Sequence, residues 1–544
     1  MEMIFTVKNE NLTRMSPEEA VEFFRELLWA EARRIGIPIA SVQISTRINV
    51  PDGGVDATIQ EPSPLPASAL AKAGMTSFQI KADATFKPWQ KAQIKNELFD
   101  DNPPNKDNLG GEVRRCLDNN GTYVLVCFKQ DPTPQEYAAA KGHLDDYLKQ
   151  AGYADPHIEV LGQSMIIGFL KVFPSLVLLA NRRALSKFQT FQSWSTEAEM
   201  IEKNRPFKAG NPQQQLIQSI QSELRKNTEP IHLRVWGEPG IGKTRLVLEA
   251  MRADDLSPLV IYCDSASKFR DSELMNEILK EDNQFSTILV IDECDAGARS
   301  YIWNKLKYSG SRIKVITIYN EYDATSGNIA YIDTPPLDRE RISQIIQDYG
   351  IPKDQADRWA DFCSGSPRVA HVIGWNLKTN QEDLLKSPDT VNVWDRYVVG
   401  GDDPCSSSVN QRRLVLRHLA LFKRFGFDRL VIAEAQQIAT KVQAADPSIT
   451  WTRFQEIVQN LRERKILQGE YTLYITPKAL HIRLWVEWWE TYGRTFDLIT
   501  FHQGLSAKLI EWFQEMFRYA ESSRAAAEIV KELLGPGGPF SDEN

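Results

Sequence analysis

What the chain lacks narrows it first. Its 544 residues hold six cysteines, Cys116, Cys127, Cys263, Cys294, Cys363 and Cys405, and no two of them form a Cys-x-x-Cys pair. That spacing argues against a zinc ribbon and a disulfide scaffold, and it suits a reducing cytosol. The sequence has no run of about 18 apolar residues. No charged-then-apolar stretch opens it. The reading is a soluble cytoplasmic protein with no membrane partner. Self-similarity at a period of roughly 20–50 residues is absent, so no repeat array is assigned. Excess positive charge is also missing: 64 Lys and Arg against 72 Asp and Glu give a net charge of −8. Nucleic acid is therefore not favoured by overall charge, and only a local basic groove would attract it. The hydrophobic content, 42%, is ordinary for a globular protein, and the length suits roughly three to five domains with real cores.

The strongest signal is GEPGIGKT, residues Gly237, Glu238, Pro239, Gly240, Ile241, Gly242, Lys243 and Thr244. It follows a strand-like run (Ile231, Leu233, Val235) and opens a helix-like one (Leu246, Val247, Leu248, Ala250). It fits the phosphate-binding pattern Gly-x-x-x-x-Gly-Lys-Ser/Thr without departure. Glycines let backbone N–H groups turn inward around nucleotide phosphates, Lys243 would reach the terminal phosphates, and the Thr244 hydroxyl would ligate Mg²⁺. The following helix aims its positive N-terminus at the same anion. Pro258 to Cys263 reads as a second buried strand. Phe285 to Glu293 (FSTILVIDE) is an apolar run ending in two acids, with Asp292 48 residues after Thr244. Asp292 would hold Mg²⁺ through water and Glu293 would polarise the attacking water. The cofactors expected are ATP and Mg²⁺.

The first 200 residues carry a second constellation. Ser16 is an N-cap, Pro17 sits at the first helical position, and Glu18 and Glu19 suit the first turn of a helix reaching Arg34. Val42 to Val50 and Val55 to Ile59 are strand-like, joined by Pro51-Asp52-Gly53-Gly54, a hairpin signal. Ser77 to Ala82 (SFQIKA) is a third strand. Alternate residues on a strand share a face, so Gln79 and Lys81 can point into one site with Asp56. The competing reading is a structural α/β domain in which Asp56 caps a turn and Lys81 is solvated. Lys81, Lys87, Lys91 and Lys95, interleaved with Asp83, Glu97 and Asp100, read as an ordinary solvated face. Thr122 to Phe128 is a buried strand, Pro134 to Ala151 helical, and Ser193 to Asn211 a linker.

DGGVDA followed by QIK resembles the Mrr-like group of PD-(D/E)xK endonucleases, in the variant where Gln replaces the middle acid. The resemblance implies an acid, Asp56, that binds Mg²⁺, and a lysine, Lys81, that positions water or stabilises charge. It makes Glu31, on the first helix, a further metal-binding acid. Asp52 is a weaker second acid.

Beyond the acidic pair, Arg312 to Tyr319 is strand-like. A polar group at its end resembles the first sensor of AAA+ ATPases, with Asn320 the candidate and Thr317 the alternative. Gly365-Ser366-Pro367-Arg368 precedes an apolar helical run. An Arg at this place in AAA+ proteins reaches the nucleotide from a helical lid, and the related STAND group has Gly-x-Pro there; Pro367 and Arg368 satisfy both. A trans-acting arginine finger would be Arg299 or Arg312. Residues 411–492 look like a winged helix, with helices over 414–424, 430–444 and 451–464 and a hairpin wing through Gln468-Gly469-Glu470. The recognition-helix region carries Arg462, Arg464 and Lys465 but also Glu456 and Glu463. Packing on the ATPase, as in STAND proteins, is favoured over DNA binding. Residues 505–519 and 523–534 are amphipathic helices that would open a sensor array.

The fold class expected is multidomain α/β. Residues 1–195 form a restriction-endonuclease-like domain, 196–345 a P-loop ATPase core, 346–405 a helical lid, 406–492 a winged helix and 493–544 the start of a C-terminal helical region. This order resembles prokaryotic antiviral STAND ATPases with an N-terminal endonuclease effector. The resemblance implies an ATP-controlled, metal-dependent cut of double-stranded DNA, a phage-derived trigger and a homo-oligomer on activation. Two alternatives stay open. The N-terminal domain would bind nucleic acid or a partner without cutting, or the chain would be a DNA-translocating restriction enzyme, which the lack of a helicase motif series disfavours.

Overall fold

Ser16 starts the first long helix, α1 (Pro17–Ile35), by a reciprocal cap. Its hydroxyl accepts from the Glu19 N–H at 3.1 Å and the Glu19 carboxylate accepts from the Ser16 N–H at 2.8 Å. Two otherwise orphaned donors are satisfied. Gly36 ends the helix at φ +83°, a conformation that disfavours any side chain. The structure, a computed structural model, describes residues 6–44, 53–100, 103–182, 187–201, 206–227, 229–280, 282–323, 329–379, 394, 398–399, 405–464 and 466–534.

The N-terminal strands are β1 (Val42–Ile44), β2 (Ala57–Glu61), β3 (Gly74–Lys81), β4 (Thr122–Cys127) and β5 (His157–Leu161), in that order across one sheet. The first three are antiparallel and the last three parallel. Ala57 pairs with Phe78 in register. The expected hairpin pairing is present, although Asp52 lies outside the described residues. Helix α1 covers one face: Phe24 meets Phe78 with ring centroids 6.1 Å apart. The other face is buried under α2 (Lys91–Leu98), α3 (Gly111–Asp118) and α4 (Pro134–Gln150), where Ile94, Val113 and Leu144 pack with Tyr123, Leu125 and Cys127.

Helix α5 (Pro174–Asn181) precedes a short sixth strand. Residues Gln189–Thr190 form β6, which pairs antiparallel with β8 (Val260–Cys263), and α6 (Phe191–Ile201) follows at once. The region read as a linker from Ser193 is thus partly helix, and the boundary placed at 195 falls inside α6. The polar composition of these residues suggested a linker, but Trp194 and the β6 pairing tie them to the next domain.

That domain holds β7 (Ile231–Trp236), β8, β9 (Thr287–Ile291), β10 (Ile313–Tyr319) and β11 (Ala330–Asp333). The sheet order is β11-β7-β10-β9-β8-β6, with β11 to β8 parallel. Burial on both faces explains the near-continuous apolar runs. β10 stands between β7, which feeds the phosphate loop, and β9, which ends at the acidic pair. One apolar cluster runs from α1 through β3 and α5 into this sheet, including Phe24, Phe78, Val177, Val260 and Ile316. Arg33 of α1 also donates to the Arg225 carbonyl at 2.6 Å. The N-terminal sheet is therefore fastened to the second sheet by a shared core.

A second cluster runs from Leu337 to Ala526 among the described residues. It includes α7 (Arg339–Gln347), α8 (Lys353–Ala360) and α9 (Pro367–Thr379), the helices of the expected lid, which begins before residue 346. It continues through α10 (Ser407–Leu419), α11 (Ile432–Ala445) and α12 (Trp451–Glu463), then a small sheet of β12 (Phe425–Gly426), β14 (Thr472–Ile475) and β13 (Leu467–Gln468). Three helices and a small sheet thus occupy residues 407–475, with Lys465 outside the described residues. Helices α13 (Lys478–Tyr492) and α14 (Ala507–Met516) close the cluster through Trp485, Trp489 and Phe513. The C-terminal helices thus pack in one cluster with α10, α11 and α12. No helix among the described residues is long and apolar enough to cross a membrane.

Candidate functional site

The phosphate loop bends between β7 and the helix Lys243–Ala250. Gly240 and Gly242 hold φ of +85° and +98°. A Cβ on Gly240 would come within 3.3 Å of both Ser366 and Arg368. Glycine is needed there for conformation and for the close approach of the lid. Lys243 Nζ donates to the Gly237 and Glu238 carbonyls, each at 2.9 Å, and to Asn320 Oδ1 at 2.8 Å. A bound phosphate would compete for these donors. Burial pulls the Lys243 ammonium down to about 8, against the opposing pull of Asp292, Glu293 and Glu238.

Asp292 and Glu293 follow β9, as expected. Thr244 Oγ1 donates to Asp292 Oδ2 at 2.6 Å, and the Tyr262 hydroxyl donates to the same oxygen at 3.3 Å. A hydroxyl and a carboxylate this close form a hard-oxygen pair suited to Mg²⁺, which commonly uses one or two carboxylates plus substrate phosphates. Burial raises the Asp292 carboxyl. Burial and the neighbouring Asp292 push Glu293 up to about 6. Glu293 sits at φ +45°, strained for a residue with a side chain.

The third element comes from the wing. The Tyr474 hydroxyl donates to Glu293 Oε1 at 2.8 Å and accepts from Asn320 Nδ2 at 2.7 Å. The Arg424 guanidinium lies 4.8 Å from the Tyr474 ring centroid and 5.1 Å from that of Tyr319. Nearby, Glu470 bonds Ser265 and Ser267, and Lys478 pairs with Glu238. Arg368 donates to Thr476 Oγ1 at 3.0 Å, and Ser366 Oγ donates to the Gly240 carbonyl at 3.1 Å. Pro367 and Arg368 line the same cavity of about 520 Å³ as Pro239, Ile241, Asp292 and Asn320. That volume lies within the usual range of small-ligand sites.

The strand-end candidates and the two arginines differ in their contacts. Thr317 is fully buried and its hydroxyl meets His232 Nε2 at 2.9 Å, turned away from the phosphate loop. Asn320 is the strand-end group that reaches Lys243. Arg299 is 1% exposed and paired with Asp323 at 3.1 Å, so it is not placed to reach a neighbouring copy. Arg312 donates to the Phe285 carbonyl at 3.1 Å.

The N-terminal constellation is gathered in part. Ser77, Gln79 and Lys81 share the β3 face opposite Phe78, and Thr58 Oγ1 meets Ser77 Oγ on that face at 3.4 Å. Asp56, two residues before Thr58, accepts from the Ile80 N–H at 2.6 Å. Gln79 is 5% exposed and its Oε1 has no hydrogen-bond partner among the described residues. A buried amide oxygen without a hydrogen-bond partner is a fitting ligand for a hard cation. Lys81 pairs with Glu97 of α2. Glu31 does not join them. It lies on α1, against the opposite face of the sheet, and both its oxygens accept from Arg34, at 2.6 and 2.7 Å. The expectation of Glu31 as a metal ligand is corrected: helix position brought it near the sheet, but on the wrong side. Among the described residues no group of three or more His, Cys, Asp or Glu is placed to hold a metal.

Sequence reasoning missed Tyr474, Tyr262 and Glu97. The two tyrosines lie on strands and read as core residues. Glu97 was counted with the solvated face, and only tertiary packing sets it on Lys81.

Parallel strands ending in this loop, this acidic pair and a polar strand-end residue define a P-loop ATPase domain. No protein-family model and no curated protein matches the chain. Among solved structures it is similar to the ORC1 protein of Aeropyrum pernix in complex with DNA, at 12% identity and a TM-score of 0.31, covering 55% of this chain and 96% of that one. It is also similar to Cdc6p of Pyrobaculum aerophilum, at 14% identity and a TM-score of 0.25, covering 51% and 95%. A third likeness is to a signal transduction ATPase with numerous domains and a tetratricopeptide repeat sensor from Pyrococcus horikoshii. There the identity is 12% and the TM-score 0.28, covering 59% of this chain and 55% of that one. Likenesses this low define no family.

Proposed function

We propose that the chain is an ATP-operated switch whose winged helix holds the ATPase closed and whose N-terminal domain is a metal-dependent DNA endonuclease. The observation that carries the switch is the meeting of Lys243, Thr244, Asp292, Glu293 and Asn320 in one cavity, with the wing tyrosine bonded to the last two. ATP would be held by residues 237–244, with Mg²⁺ at Thr244 and Asp292; Mg²⁺ would neutralise charge developing on the phosphates. Glu293, once released from Tyr474, would orient and deprotonate water, and Arg368 would reach the phosphates from the lid.

Opening would free copies to oligomerise and bring N-terminal domains together, each cutting one strand of double-stranded DNA. Asp56 and Gln79 would hold the metal there and Lys81 would steady the charged intermediate state. The order of domains supports placing this activity in STAND-like antiviral defence, with a phage-derived trigger bound C-terminal to Tyr492.

A second reading has its own support. Asp56 accepts from the Ile80 N–H, Lys81 is paired with Glu97, and Gln79 leaves one carboxylate fewer than two-acid sites. On that reading the N-terminal domain binds nucleic acid or a partner without cutting. Plasmid cleavage with Mg²⁺ and ATP at high protein concentration separates the two. The nuclease reading expects cutting by wild type that Asp56→Ala and Lys81→Ala abolish and Lys243→Ala loses with ATP binding. An active ATPase with no cutting under any of these conditions supports the binding module.

A further inference from the structure

Tyr262 stands on β8, next to the strand that ends at Asp292. Its hydroxyl donates to Asp292 Oδ2, the oxygen that also accepts from Thr244. A phenolic O–H prefers its ring plane, so the direction in which Tyr262 donates follows the orientation of its ring. The ring is fixed by Trp194 of α6: the two rings lie parallel, 5° apart in plane, with centroids 4.3 Å apart. Trp194 is 4% exposed. The residue opposite Tyr262 in the β6–β8 pairing is Gln189. Tyr262 is therefore held at its backbone by β6 and on its ring face by α6.

Both grips lie on the stretch of chain that leaves the N-terminal domain. Helix α5 of that domain sits on the segment before β8, where the Ser175 hydroxyl bonds the Pro258 carbonyl. The route from the nucleotide's metal carboxylate to the N-terminal domain thus has few steps: Asp292, Tyr262, Trp194, then β6 and α5.

We propose that Trp194 and Tyr262 are positioning residues that hold the Asp292 carboxylate for Mg²⁺ and pass its state to the N-terminal domain. The proposal rests on the ATP-switch reading. Thr244 would meet the metal through an oxygen lone pair and keep its O–H on Asp292 Oδ2; Tyr262 supplies the second bond to that oxygen, and any shift of the carboxylate moves a ring stacked on the connecting helix. A carboxylate held by one aligned hydroxyl needs less reorganisation to bind the cation than a free one.

The test uses the full chain with three variants, Tyr262→Phe, Trp194→Leu and both together. Binding of ATP is titrated with Mg²⁺, and binding of ADP is measured separately in EDTA. Each single variant is expected to raise the half-saturating Mg²⁺ by about 3- to 10-fold, the value of one hydrogen bond, with metal-free ADP binding unchanged. The double variant is expected to match the singles, because both act through one hydroxyl. Hydrogen exchange over residues 174–194 is expected to change on adding Mg²⁺ and ATP to wild type, and not to change in Trp194→Leu.

A Trp194→Leu protein with a lower melting temperature but the wild-type Mg²⁺ dependence would reduce Trp194 to packing and overturn the proposal. So would additive effects in the double variant. If wild type binds no nucleotide in EDTA or Mg²⁺, the ATP-switch reading itself fails, an outcome distinct from wild-type binding with unshifted variants.

Discussion

Replacing Tyr474 by Phe removes one oxygen and two hydrogen bonds from the closed ATPase. The bond to Glu293 is charge-assisted and contributes about 1.5–3 kcal/mol; the bond from Asn320 contributes about 0.5–1.5 kcal/mol. The ring keeps its place beneath Arg424, and Glu470 and Lys478 keep their contacts with Ser265, Ser267 and Glu238. The wing therefore stays folded and docked, only less tightly. A net loss of about 2–3 kcal/mol lowers the closed-to-open ratio roughly 30- to 150-fold. Steady-state ATP turnover without a trigger is expected to rise by up to that factor. The rise should vanish when Lys243→Ala is added. Burial and Asp292 push the Glu293 carboxyl up to about 6, above its usual 4.5, so relative to the unfolded chain its stabilising effect is lost as pH rises through about 6. Wild-type turnover in Tyr474→Phe, with its fold intact by circular dichroism, would refute the latch and leave the wing as mere packing.

Two further outcomes follow from the same contacts. Burial holds the His232 imidazole down to about 3 and that of His481 down to about 4. Both must take up protons on unfolding, so stability is full above the ordinary value near 6.5 and falls below it by about 1.4 kcal/mol per pH unit for each group. The melting temperature is expected to drop between pH of about 7.5 and about 5.5, less so in His232→Leu; equal values would contradict the buried neutral rings. On the endonuclease reading, Glu97→Gln leaves Lys81 without its carboxylate partner and lets the ammonium wander. Cleavage is expected to fall about tenfold or more, since small misplacements of reacting groups cost that much, while Mn²⁺ binding to the N-terminal site stays at wild type. An unchanged cleavage rate would put the pair outside the reaction.

What the sequence determined by itself is whatever is encoded in short, contiguous runs. The phosphate loop is local, since its glycines, lysine and threonine lie within eight residues and act through their own backbone. The strand ending in Asp292-Glu293 is local in the same sense, because burial on both faces demands an unbroken apolar run. The cap at Ser16, the antiparallel pairing of β1 with β2, and the shared face of Gln79 and Lys81 follow from rules that span a few residues. Asn320 was legible as a strand-end group, though only the buried bond to His232 removed Thr317. Tertiary structure decided everything that depends on which face meets which. Helix α1 packs on the far side of the first sheet, so Glu31 pairs with Arg34 and Glu97 takes the place beside Lys81. Part of the stretch read as a linker is instead helix α6, which meets the ATPase sheet through Trp194 stacked on Tyr262. Tyr474 reaches Glu293 from 181 residues away, a separation across which no periodicity or spacing carries information. Local sequence specifies backbone shape and chemistry type; long-range packing specifies which charged groups are held and which are free.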